Sequence, residues 1–378
     1  MRKLFRYVVL IVCLLICAVS SHRGLMRKLN VYKASSNGIL RSDRRYGDLY
    51  GMCYLPYFRK HFHQIGNLRA DSCGVASRID LYAISDSYFW SLLDSAKYFC
   101  SVDNLITAKI NTWEKLSVVL DTSKINVLLF EFSERNIRLV FNNAAYIRDV
   151  VRPQQQGSVT TIDNTNVTGQ GNPDKPGLHE NSQQLLHPPD WVSKIMDVMF
   201  NKDINTNLES TLWDVSWFSL VKEFKATINY KLLNVVDKEV YVSTDRQRLY
   251  YNRTIDTSYS LTSSFNPVSD GAVDSIVNKM NDLYLKACSI GFRKVYLSII
   301  PNPVSLLEPR FHGLVHKRLV ERVQNSPHLK MPYINLIPVF NKSKDSVYAA
   351  SDTHWTPFGA QLWVDQFNIE LRKTVEER

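Results

Sequence analysis

Apolar positions recur along this chain in two rhythms. Leu81–Ile84, Asn126–Phe132 (N-V-L-L-F-E-F) and Lys294–Ile300 (K-V-Y-L-S-I-I) are short apolar runs, read as strands buried on both faces, with Pro301 stopping the last. Between the second and third, Ile276, Val277, Met280, Leu283, Tyr284, Ala287 and Cys288 fall on one helical face. Ser269 or Asp270 is placed to cap that helix and Gly291 to end it. Val240 to Tyr251 reads as a hairpin, Trp191 to Leu233 as a helical, Trp-rich stretch, and Leu314 to Val323 as a helix. A further strand is expected over Tyr333 to Phe340, and a last helix starts near Pro357, a good first-turn residue. Strands alternating with amphipathic helices predict an α/β fold with a mainly parallel sheet and helices on both faces. Ligands of such sheets bind beyond the carboxyl ends of the strands.

The chain has 378 residues, 45% of them hydrophobic, ample for one large α/β domain with insertions or for two small domains. Its net charge of +10 would suit a nucleic-acid partner, but the excess is confined to the beginning. Residues 1–60 hold twelve Lys and Arg against Asp43 and Asp48 alone, and beyond them basic and acidic residues are equal in number. No nucleic-acid partner is expected; a basic N-terminal segment suits anionic phospholipid headgroups. Within it, Arg2, Lys3 and Arg6 precede an apolar run from Tyr7 to Val19, short for a spanning helix and suited to a signal sequence. Residues 1–22 are therefore a signal sequence or a membrane anchor, export with a retained anchor being favoured. Residues 23–45 read as a basic stalk.

Residues 152–190 change character, with Gln154-Gln155-Gln156-Gly157, many Thr and Asn, and Pro173, Pro176, Pro188 and Pro189. They read as a long loop, lid or linker, followed by a helical and hairpin insertion over 191–265. Of six cysteines, Cys13 and Cys17 lie in the apolar run; among the others Cys53–Cys73 is the favoured disulfide on separation. Cys53, His61, His63 and Cys73 match no tight ligand spacing, so neither a metal nor a cofactor is expected. Sequons begin at Asn166, Asn252 and Asn341, a number an Asn-rich chain reaches by chance.

Two motifs carry possible chemistry. Ser85-Asp86-Ser87 follows the first strand, and Ser351-Asp352-Thr353-His354-Trp355 follows the strand expected nearest the C-terminus, so both belong at one sheet edge. A serine becomes a nucleophile when a base takes its proton, and the base works best when a carboxylate orients it. Ser87 opening a helix is the candidate nucleophile, His354 the base, and Asp352, two residues earlier, its orienter. Taken singly, Ser85, Asp86 or Ser87 could be ordinary N-caps and His354 a structural histidine.

These residues also resemble a family. Y-A-I-S-D-S-Y-F-W around Ser87 looks like the G-D-S block of SGNH hydrolases. S-D-T-H-W-T-P-F-G-A at 351–360 resembles the D-x-H-W block of the SGNH hydrolase-like domain of alginate O-acetyltransferases. E-F-S-E-R-N-I-R at 131–138, N-L-E-S-T-L-W-D at 207–214 and S-I-I-P-N-P at 298–303 match the same group more weakly. The resemblance covers residues 46–378 and implies a three-layer SGNH (flavodoxin-like) fold, with Ser87, His354 and Asp352 as the triad. Three departures accompany it: Ser85 replaces the glycine, the serine precedes the D-x-H block, and no G-x-N-D block supplies an oxyanion asparagine. Arg135 and Asn136, after the second strand, are the candidates for oxyanion or substrate contact, and Tyr88 for a pocket residue; the alternative makes Glu134 and Arg135 a surface ion pair.

The resemblance implies a polysaccharide O-acetyltransferase working through an acyl-serine outside the inner membrane, supplied with acetyl groups by a polytopic membrane acyltransferase. Its localisation would be periplasmic, anchored by the N-terminal segment. Trp90, Trp191, Trp213 and Trp217 are aromatics able to stack on sugar rings, although most such residues are core. Two other readings stand beside it: a carbohydrate esterase with the same triad, and a non-catalytic carbohydrate-binding or assembly protein that kept the fold.

Overall fold

A computed structural model describes residues 2–21, 47, 49, 52–55, 58, 68–69, 78–90, 93, 95–153 and 219–377. The chain divides into two compact units, one of residues 1–43 and 155–218, the other of 44–154 and 219–378. What is described of the first is a helix over Arg2–Ser21, with the side chains from Leu4 to Leu15 exposed. Among the described residues no helix is long and apolar enough to cross a membrane. The expected stalk, most of the loop 152–190, and Trp191, Trp213 and Trp217 of the insertion lie outside the described residues.

The second unit is α/β. Four parallel strands, β1 (Ile79–Ser85), β2 (Val102–Lys109), β3 (Ile125–Ser133) and β4 (Lys294–Ile300), lie in the order β2-β1-β3-β4. β1 and β3 are buried along their whole length, as apolar runs in a sheet covered on both faces must be. One face carries Ile84, Leu128, Phe130 and Leu297 against the helix Asp270–Ile290, through Val273, Ile276, Val277 and Met280. The opposite face carries Leu81, Ala83, Leu129 and Tyr296 against the C-terminal helix Pro357–Glu376, through Trp363, Val364, Phe367 and Leu371. Alternate side chains of each strand thus serve two helical layers.

The Asp270–Ile290 helix follows its sequence signals closely. The Ser269 side chain accepts the Ala272 N–H, and Gly291, at φ 116°, takes the left-handed C-cap conformation that a Cβ would strain. One strand goes unread in the sequence, and two expectations need correction. β2 escapes the apolar pattern because, at the sheet edge, its Asp103, Asn104 and Thr107 face outward and break the run. The strand expected over Tyr333–Phe340 shrinks to one bridge, Tyr333 beside Leu297 in β4. The chain then turns into the helix Ile337–Lys342, because Pro338 has no N–H for a ladder but suits a first helical turn. The helix expected from Leu314 begins only at Leu319; Leu314–Val315 instead pairs antiparallel with Arg310–Phe311.

Of the insertion, the structure describes a helix Ser219–Thr227, a π-turn Ile228–Leu232, and the expected hairpin, Val240–Val242 paired with Leu249–Tyr251. Cys100 is disulfide-bonded. Cys53 is a buried thiol, so the favoured Cys53–Cys73 bridge is not formed.

Candidate active site

The strand order reverses between β1 and β3, and the crevice beyond their carboxyl ends is where doubly wound sheets place ligands. Ser87 is the first residue of a four-residue helix, Ser87–Trp90, opening one residue past β1. Asp86 caps it: its Oδ1 accepts the Tyr88 N–H at 2.9 Å. The Asp86 Oδ2 accepts the Ser133 N–H at 2.8 Å and the Asn136 amide at 3.1 Å, so one carboxylate ties the nucleophile turn to the end of β3. None of Ser85, Asp86 and Ser87 has a positive φ, so this turn needs no glycine and Ser85 fits without backbone strain.

The opposing loop is closed by an antiparallel bridge between Tyr348 and Trp355, with the Ala349 N–H on the His354 carbonyl. At its tip a single oxygen, Asp352 Oδ1, accepts the backbone N–H of His354 at 2.8 Å and meets the imidazole Nδ1 at 2.6 Å. The first contact is an Asx-turn, a side chain bonding the backbone two residues on, and it fixes the second. His354 Nε2 lies 2.8 Å from Ser87 Oγ. With Nδ1–H given to Asp352, Nε2 keeps its lone pair and is positioned to accept the Ser87 proton. The Asp352 side chain is 7% exposed and that of His354 18%, so the carboxylate is sheltered while the ring reaches solvent.

Several supports hold the loop in place. The Tyr88 hydroxyl donates to the Thr353 carbonyl. Its ring packs against His354 and edge-on to Trp355, with centroids 5.0 and 5.2 Å apart. Tyr88 is fully buried, so it is a strut between the two loops and not the expected pocket residue. From the insertion, Arg248 donates to the Tyr348 carbonyl at 2.9 Å and the Leu249 N–H to the Ala350 carbonyl at 2.8 Å. Gly359 lets the C-terminal helix approach closely, since a Cβ there would sit 2.3 Å from the Val347 carbonyl oxygen.

The expected oxyanion contacts are placed otherwise. The Asn136 amide nitrogen donates to Asp86 and, at 3.1 Å, to Ser133 Oγ, so both of its hydrogens are committed to positioning. The Arg135 guanidinium lies 5.7 Å over the Tyr251 ring, a contact with the insertion hairpin. Glu134 makes no surface pair with Arg135. It is buried, with Oε1 2.8 Å from His316 Nε2 and Oε2 accepting the Asn302 N–H at 2.9 Å. Burial raises the Glu134 carboxyl, but the hydrogen bond and charge of His316 and the Asn302 N–H outweigh it and leave it below the ordinary value. Burial lowers His316, and the Glu134 hydrogen bond and charge more than reverse this. The result is a buried ion pair joining the loops after β3 and β4.

Glu131, near the end of β3, is a site residue that the motifs alone do not single out. Burial, and then the neighbouring Asp86 charge, push its carboxyl well above the usual range. The visible signal is one acid inside the stretch Val127–Phe132, which is otherwise apolar. A cavity of about 1120 Å³ lies along the insertion hairpin, lined by residues including Tyr230, Lys231, Tyr241, Arg246 and His312. Among the described residues no cluster of His, Cys, Asp and Glu could hold a metal ion. No protein-family model, no curated protein and no solved structure matches this chain.

Proposed function

We propose that the chain is an SGNH-type serine acyltransferase that moves an acetyl group onto a polysaccharide through an acyl-Ser87 intermediate. The observation that carries this reading is the unbroken line from Ser87 Oγ through His354 to Asp352, at 2.8 and 2.6 Å. Ser87 Oγ attacks the acyl carbonyl carbon as its proton passes to His354 Nε2, and Asp352 stabilises the imidazolium that forms. The developing oxyanion falls beside the backbone N–H of Ser87 itself. Collapse expels the donor's alcohol, which takes the proton from Nε2. An acceptor hydroxyl then gives its proton to Nε2 and attacks the acyl-serine, regenerating the Ser87 hydroxyl. The strand order β2-β1-β3-β4 suits the flavodoxin-like arrangement of this fold class.

The likeness of the D-T-H-W block supplies the rest of the proposal: an exported protein held at the inner membrane by its N-terminal segment, and a polytopic membrane acyltransferase as donor. The test is incubation with an activated acetyl ester and mass spectrometry of the intact protein. Wild type should gain one acetyl group and Ser87→Ala none. An equal adduct on both proteins, or on neither together with no ester turnover, refutes the reading and favours a non-catalytic carbohydrate-binding protein. Products formed with and without added oligosaccharide separate transfer to a sugar from hydrolysis by an esterase.

A further inference from the structure

The backbone donor just before the nucleophile poses a problem that one side chain solves. β1 ends at Ser85, so the buried N–H of Asp86 lies beyond the strand, and a buried amide without a partner costs about 1–3 kcal/mol. Glu131 Oε2 accepts that N–H at 3.1 Å, reaching across from β3. A leucine at this position would fill a similar volume and leave the amide unpaired. The glutamate is retained at a cost, because its Oε1 is buried with no hydrogen-bond partner among the described residues. Around it stand Asp86 from the nucleophile turn, Ser298 in register on β4, and Trp363 of the C-terminal helix, which donates to Ser298. Asp86 is the titratable member of that set. Two carboxyl groups side by side in a buried turn do not both ionise near neutral pH. Three donors serve the Asp86 carboxylate and one serves Glu131, so Glu131 is the one that keeps its proton.

We propose that Glu131 is a positioning residue, a neutral carboxylic acid that takes the place of a ladder partner for Asp86 and thereby fixes the aim of Ser87. The inference rests on the acyl-serine reading of Ser87. It assigns a role to a residue that touches neither substrate nor base, and it explains why an acid occupies the apolar run of β3.

Glu131→Gln and Glu131→Leu test it by the rate of Ser87 acetylation from an activated ester between pH 6 and 9. The glutamine, neutral and still an acceptor, should keep the rate within about threefold of wild type, whereas the leucine should lose tenfold or more at unchanged KM, on the order of 1.4 kcal/mol in the barrier. Leucine acetylating as fast as wild type, or glutamine falling as far as leucine, overturns the proposal. Hydrogen exchange at the Asp86 amide gives a readout independent of acyl transfer: faster in the leucine variant and protected in the glutamine one. Equal protection in all three overturns the proposal even where Ser87 proves unreactive.

Discussion

Replacing Glu134 by glutamine tests how the buried pair with His316 supports the site. Glu134 bonds through both oxygens, to His316 Nε2 at 2.8 Å and to the Asn302 N–H at 2.9 Å, with side chains 2% and 6% exposed for Glu134 and His316. The substituted glutamine satisfies both partners in one arrangement only. Its oxygen must take the Asn302 N–H while its amide donates to a neutral His316. Two charge-assisted hydrogen bonds then become neutral ones, a loss of roughly 2–3 kcal/mol. Alanine, which abandons both partners, should cost about 3–5 kcal/mol. The pH dependence follows from the two shifts. His316 is raised, so its contribution is complete below its ordinary value of about 6.5 and is lost as pH rises through the raised one. Glu134 is lowered, so its contribution is present above its ordinary value and is lost as pH falls through the lowered one. The deficit of Glu134→Gln should therefore be greatest near pH 6 and shrink by pH 9. Urea unfolding followed by tryptophan fluorescence at both pH values measures it. A deficit that is absent at pH 6, or the same at pH 9, refutes the assignment of an ion pair.

Three further outcomes are expected. Asp352→Asn keeps an oxygen for the His354 N–H but removes the charge that stabilises the imidazolium, so ester turnover should fall by roughly 10²–10⁴-fold with little change in unfolding midpoint. Tyr88→Phe leaves the buried Thr353 carbonyl without its hydroxyl donor and should cost about 1–3 kcal/mol in denaturant unfolding, with a loss of turnover as the base loop shifts. Gly359→Ala drives a Cβ to 2.3 Å from the Val347 carbonyl oxygen; the helix must move, and both the thermal midpoint and turnover should drop, whereas alanine at exposed Gly271 should be tolerated.

Where local chemistry decides the structure, the residues can be read. The Asp270–Ile290 helix carries its period and both caps within its own stretch, and the strands β1, β3 and β4 are marked by the short, mostly apolar runs that a sheet covered on both faces requires. The spacing of Asp352 and His354 already implies their contact, since an Asx-turn needs only those three residues. What cannot be read depends on distant partners. β2 pairs at an edge where solvent allows polar residues, and Pro338 decides between strand and helix at a place where the apolar pattern fits either. Glu134 and His316 are 182 positions apart, and nothing in either neighbourhood announces the other. Asn136 draws attention by standing next to the right strand, but its hydrogens are already committed to Asp86 and Ser133.

The double use of Asp352 Oδ1 has a consequence for how this centre is assembled. Because the peptide of His354 and its ring share one carboxylate oxygen, the Asx-turn holds Asp352 beside the imidazole. Base and orienter therefore travel together as one small body. The contact of that body with the Ser87 hydroxyl is framed by the Tyr88 strut on one side and by the hairpin contacts at Tyr348 and Ala350 on the other. Anchoring from both sides fixes the distance between the Ser87 hydroxyl and the proton-accepting ring.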